Sequence, residues 1–177
     1  PKPKKATTTT PVKQTEKVDK PEEPPAETEP PKEEEPVEEE PPPEPEPKTA
    51  VGTGAFVWPV KSRDITFPFG LDERGTAFHA GIDIKVDVGT SVFAADTGLV
   101  KYAGPSGAYG NMIFIDHGNG FATVYAHLSE ILVAENDVIS KSDLIAKSGQ
   151  SGNSKYPHLH FEVRKNGERV DPGNYLP

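Results

Sequence analysis

The chain has 177 residues, no cysteine and a formal net charge of −9. A length of this order accommodates one domain, or one domain with a tail, and the lack of cysteine excludes a disulfide framework and a thiolate metal site. Residues 1–50 hold 14 acidic and 8 basic side chains (net −6) and the remainder 14 and 11 (net −3), so the near-neutral second part gives no reason to expect a nucleic-acid partner.

Taken in chain order, residues 1–50 contain 14 of the 20 prolines, and Val12, Val18 and Val37 are their only large apolar side chains. Such a segment buries too little surface to offset the entropy of ordering it. It is read as a disordered Pro/Glu-rich linker, with polyproline II favoured at Pro21–Pro25 and Pro41–Pro47. At ~3.1 Å per residue its extended reach is on the order of 150 Å. No run in the chain approaches the ~18 apolar residues of a membrane span, and no signal peptide is visible. The chain begins at Pro1 rather than Met. It is therefore read as a trimmed piece, with room for an upstream signal or anchor.

From Val51 the texture changes to short apolar runs with interspersed glycines and aromatics. Strands are expected at 98–103, 111–117 and 121–127, the last two joined as a hairpin by Gly118-Asn119-Gly120. Further strands are expected at 144–146 and 158–164, and at most a short helical turn at 129–133. Residues 51–177 are expected to form one all-β domain of two packed antiparallel sheets.

All five histidines lie in this part. In His79-Ala80-Gly81-Ile82-Asp83, even spacing on an extended strand puts His79 and Asp83 on one face, and Gly81 leaves room between them. Alone, such a pair is more often a surface pair or a core hydrogen bond than a metal site. In 158–164, Leu159, Phe161 and Val163 alternate with His158, His160, Glu162 and Arg164, so two imidazoles stand side by side opposite a core face. In 121–127, the same alternation groups Phe121, Thr123, Tyr125 and His127. A catalytic zinc site needs three protein ligands and an open position. His79, Asp83 and one histidine of the His-x-His pair supply that set, and His127 with the remaining histidine can move protons.

These motifs, in this order, resemble the lysostaphin-type (LytM-domain) zinc metallopeptidases. The segments Phe67-Pro68-Phe69-Gly70, Tyr109-Gly110-Asn111 and Gly149-Gln150-Ser151-Gly152 are similar to the family as well. The resemblance implies a β-sandwich-like body with an open groove, with one zinc ion bound by His79, Asp83 and His160. It implies that His127 and His158 are catalytic, flanking the zinc-bound water. The implied substrate is the peptide cross-links or stems of bacterial peptidoglycan. Separately from the resemblance, a Pro/Glu-rich tether lets a membrane-attached enzyme reach across a periplasm, so the expected setting is the cell envelope, in the periplasm, with membrane or envelope attachment through the linker or an upstream segment and with the chain acting as a monomer. His117 matches a family histidine to which no catalysis is assigned. Asn136, Ser142 and Ala146 stand where relatives often have glycine; Asn tolerates left-handed backbone, so Asn136 is a mild change, while Ser142 and Ala146 suggest altered turns. Asp72 stands where they often have arginine, with Arg74 nearby as a substitute, and residues 51–78 are a candidate occluding arm. A relative of this type without turnover, activating a cell-wall amidase, is the alternative.

Overall fold

The computed structural model describes residues 49–177, so the expected linker over 1–50 lies outside the described residues except for Thr49 and Ala50. Twelve strands follow in order. They are β1 (Ile65–Phe67), β2 (Gly70–Leu71), β3 (Phe78–His79), β4 (Ile82–Lys85), β5 (Ser91–Phe93) and β6 (Gly98–Pro105). After these come β7 (Asn111–Asp116), β8 (Phe121–Ile131), β9 (Val138–Ile139), β10 (Leu144–Ser148), β11 (His158–Lys165) and β12 (Glu168–Val170). There is no α-helix among the described residues, only two single-turn 3-10 segments.

All pairings are antiparallel, as expected. The expected division into two separate sheets is not what forms. One hydrogen-bonded network of ten strands runs β1-β4-β11-β8-β7-β6-β9 and branches to β10 and β5 from β8 and to β12 from β11, with β2-β3 as a separate ribbon. The branch point towards β10 is the eleven-residue β8. Its first part pairs with β7 and β11, and its end, from Leu128 to Ile131, pairs with β10. No helical turn forms at 129–133: residues 129–131 are the end of this strand, with the polar Ser129 and Glu130 exposed on it, and Leu132 and Val133 follow as irregular chain.

The main core draws Ile113, Tyr125, Leu159, Phe161 and Val163 from the long path and Val92, Ile145 and Ala146 from the branch. Fully burying a large apolar side chain contributes roughly 1.5–3 kcal/mol, and Tyr125 and Phe161 meet at a ring separation of 5.4 Å within it. The β7–β8 hairpin turns where expected. Gly118 and Gly120 take φ of 73° and 82°, and Asn119 Oδ1 accepts from the Phe121 N–H. Residues 52–59 are stitched to the body: the Gly52 N–H donates to His117 O, Val57 N–H to Ala95 O, and Phe56 is buried.

Asn136 and Ser142 both keep the left-handed backbone that glycine favours, each at φ 70°: Asn136 tolerates it as expected, and the turn at Ser142 is not altered, contrary to expectation. Ala146 is a buried strand residue of β10 and belongs to no turn.

Candidate metal centre

The site is built on regular pairing first. On β11, Leu159, Phe161 and Val163 are fully buried in the core, so His158, His160, Glu162 and Arg164 face the other way, as the alternation predicts. Asp83 on β4 is directly opposite His160, and residues directly opposite on paired strands share a face. His160 Nδ1 therefore lies 2.8 Å from Asp83 Oδ1, and His158 Nε2 lies 3.5 Å from the same oxygen.

His79 arrives differently. It ends β3, in the small ribbon, and the chain bends through Ala80-Gly81 before β4 begins. His79 and Asp83 are therefore not on one continuous strand, although their side chains meet at 3.1 Å. Nor does Gly81 leave room in the cleft: a Cβ there would stand 2.2 Å from Phe161 O, so its glycine serves the close approach of backbone to β11.

His127 also departs from the alternation. Asn111 pairs with Leu128 and Ile113 with Tyr125, which leaves Met112 opposite both Ala126 and His127. The extra residue is a β-bulge, with His127 at φ 60°. Tyr125 stays in the core, where burial pushes its hydroxyl up to about 12. His127 turns to the cleft, its ring 4.7 Å from that of His158 and 5.9 Å from that of His160. The expected shared face of Tyr125 and His127 is thus broken by the bulge.

His79 Nε2, Asp83 Oδ1 and His160 Nδ1 form a cluster with all separations between 2.8 and 3.1 Å. The outer ring nitrogens set its character. His79 donates Nδ1–H to Pro68 O at 2.9 Å, and His160 directs Nε2 at Glu162 Oε1 at 3.4 Å. With those protons outward, two ring lone pairs and a carboxylate oxygen converge on one point, as metal ligands do. Two imidazoles and one carboxylate are a donor set that suits zinc. In the metal-free protein, burial pushes Asp83 up, but bonds from His160 and His79 outweigh it and hold the carboxyl far below the usual range. His160 is raised: burial lowers it, and Asp83 and Glu162 more than reverse that.

The two neighbouring histidines are fixed from behind. His127 donates Nδ1–H to Ser151 O at 2.8 Å and His158 to Tyr156 O at 2.7 Å, so each presents Nε2 to the cleft. Burial, with the adjacent His158 and His160, lowers the His127 pKa against the opposing bond from Ser151. A neutral imidazole with its Nε2 lone pair free can accept a proton. His117 is remote and structural in its contacts, fully buried between Thr97 O and the Thr123 hydroxyl.

The cleft holds about 950 Å³, and exposed Phe67, Phe78 and Tyr156 form its apolar rim. Residues 51–65 line none of it, while Thr66, Phe67 and Phe78 form a wall, so the arm considered at 51–78 is a wall at its far end only. Arg74 pairs with Asp72 at 3.7 Å, and Asp72 accepts from Thr76 and Ala77, so Asp72 organises the ribbon's turn and Arg74 is absent from the cleft. Sequence reasoning gave no role to Glu162, which is fully buried with its pKa lowered to about 2; burial raises it, and His160, Tyr109 and Arg164 bring it down. The alternation put Glu162 on the correct face but carried no signal that this face is sealed there.

The sequence profile of peptidase family M23 matches residues 77–172. The chain is 44% identical over 123 residues to the DD-carboxypeptidase/endopeptidase Mpg of Neisseria meningitidis, covering 67% of this chain and 28% of that protein. It is 36% identical over 130 residues to the murein hydrolase activator NlpD of Escherichia coli, covering 73% of this chain and 33% of that protein. A zinc-containing peptidase from Vibrio cholerae superposes with a TM-score of 0.62 at 31% identity, over 66% of this chain and 39% of that one. The chain spans about a third or less of the length of the curated relatives named here.

Proposed function

The chain belongs to peptidase family M23, and on that premise we propose that it is a zinc metalloendopeptidase that hydrolyses peptide cross-links or stems of bacterial peptidoglycan. The observation that carries this reading is the convergence of His79 Nε2, Asp83 Oδ1 and His160 Nδ1 beside two imidazoles whose Nε2 atoms face the same cleft. His79, Asp83 and His160 would hold one zinc ion. When bound, zinc supplies Lewis-acid polarisation of a carbonyl and a water that ionises near neutral pH. His127 and His158 accept a proton at Nε2 and return it to the leaving amine, their rings kept in place by the Ser151 and Tyr156 carbonyls. The apolar rim of Phe67, Phe78 and Tyr156 grips the peptide on either side of the centre.

Likeness to a DD-carboxypeptidase/endopeptidase supports direct cross-links between D-amino acids over glycyl bridges as the target. We further propose a place in the cell envelope, in the periplasm of a Gram-negative cell, with peptidoglycan peptides as the partner and the chain acting as a monomer. A second reading, a regulator that activates a wall amidase without turnover of its own, is favoured by the likeness to a murein hydrolase activator. The retention of all five site residues favours the enzyme.

The test is zinc content of the purified chain, followed by incubation with sacculi and mass spectrometry of the released fragments. One zinc per chain with chelator-sensitive release of uncrosslinked stems is the expected result. Zinc without cleavage of either directly linked or glycine-bridged walls would overturn the enzyme reading in favour of the regulator.

A further inference from the structure

Glu162 is a fully buried carboxylate at the back of the cluster, and its two oxygens have different duties. Oε2 accepts from Arg164 Nε at 3.0 Å and Nη2 at 2.8 Å, with Arg169 Nε at 3.6 Å. Oε1 accepts from the Tyr109 hydroxyl at 2.6 Å and faces His160 Nε2 at 3.4 Å. Removing a charge from water is costly unless it is paired and hydrogen-bonded, and here two guanidiniums and a phenol meet that need without the histidine. What the histidine gains is orientation. An ionised carboxylate can only accept, so Glu162 draws a proton to His160 Nε2 in competition with Asp83 at Nδ1, and with the proton on Nε2 the Nδ1 lone pair is free to face Asp83 and His79 as a metal ligand does. The two-point grip of Arg164 on Oε2 fixes the carboxylate plane and so aims Oε1.

The geometry points to Glu162 as a positioning residue for the metal centre: through His160 Nε2, and itself held by Arg164, Arg169 and Tyr109, it sets which nitrogen of His160 is offered to the metal. This rests on the zinc reading above. Groups one step behind a ligand typically change metal affinity 10–100-fold when replaced.

Glu162→Gln separates orientation from mere bulk. The arginines retain the amide oxygen on the Oε2 side, so the NH₂ group faces His160 Nε2. A donor there favours the opposite tautomer, with the proton on Nδ1, where it blocks ligation. The experiment measures zinc affinity of the full chain by competition with a chromophoric chelator, alongside the circular dichroism melt of the metal-free protein. Nitrogen NMR of labelled histidine reports the His160 tautomer in the metal-free protein above the histidine titration range. The expected result is a native fold, 10–100-fold weaker zinc and a larger share of His160 carrying its proton on Nδ1 in place of Nε2. Zinc affinity within about threefold of the parent, or an unchanged tautomer, overturns the proposal. If Glu162→Gln does not fold, Arg164→Lys decides. It keeps the charge and loses the two-point grip: weaker zinc on a native fold supports the assignment, and unchanged affinity overturns it. A parent chain that binds no zinc overturns the metal reading itself, whereas a parent and variants that bind equally overturn only the role of Glu162.

Discussion

Gly81→Ala tests the packing on which the cluster depends. The added Cβ would stand 2.2 Å from Phe161 O and 2.9 Å from Phe161 C, both backbone atoms of β11. Ordinary contact begins at 3.4 Å, so the two strands must part by about 1.2 Å, or the β4 end must tilt. Gly81 is not in the left-handed region, so the whole effect is steric. Overpacking of this kind costs roughly 1–3 kcal/mol. At about 4 °C per kcal/mol for a domain of this size, melting falls by ~4–12 °C. The larger consequence is at the site. Asp83 and His160 face each other across the same strand pair, two residues from the clash, and metal–ligand distances tolerate only about 0.2 Å. Zinc affinity should therefore fall by more than tenfold even where the protein is still folded. The assay is a chelator-competition titration with a parallel circular dichroism melt. Parental melting and parental zinc affinity together would refute the close-approach argument.

Replacing His127 by either Ala or Gly should reduce release of wall peptides by ~10²–10⁴-fold while zinc stays at one per chain. The glycine variant should melt higher, since φ 60° costs an L side chain about 1 kcal/mol; an alanine variant that is the more stable would deny the bulge. Asp83→Ala and His160→Ala should instead lose the metal, read directly as zinc content after gel filtration. Asp96, fully buried, accepts from the Gly54 and Thr97 N–H groups and pairs with Lys141 at 3.1 Å; burial pushes its carboxyl up, and these partners take it below its ordinary 3.8. Its contribution to stability is full above that value and is lost as pH falls below it. The acid-unfolding curve of Asp96→Asn should accordingly be flatter than the parent's below pH 3.8, and parallel curves would show that the ion pair contributes nothing.

The parts of the site that the sequence displays are those that regular pairing builds. Leu159, Phe161 and Val163 facing the core force His158 and His160 to the other side. Period-two alternation is a property of the strand itself and needs no knowledge of its partner. The hairpin of β7 and β8 is legible for a similar reason, because Gly118-Asn119-Gly120 encodes its own turn. Strands of two to four residues, such as β2, β3 and β9, are too short to show a period, and only their partners define them. The end of β8 was hidden because Ser129 and Glu130 are polar, although their strand changes partner there and continues.

The remaining two histidines enter the centre through departures from regular pairing. His79 lies before a bend that lets Gly81 approach β11, and His127 lies on a bulge that gives β8 one residue more than β7. A bulge is a count between two strands, so no reading of β8 alone can find it, and a histidine at positive φ carries no local sign as a glycine would. Simple alternation would send His127 into the core with Tyr125, whose hydroxyl already has its partners in Ala95 N–H and Thr123. That the fold tolerates a left-handed histidine at the cleft, when regular pairing would have avoided it, is the kind of local cost that functional positions retain. The strain, the Ser151 bond behind Nδ1 and the lowered pKa all act on one ring. Together they favour a neutral imidazole with its free nitrogen beside His158, which is what the proposed proton transfer requires.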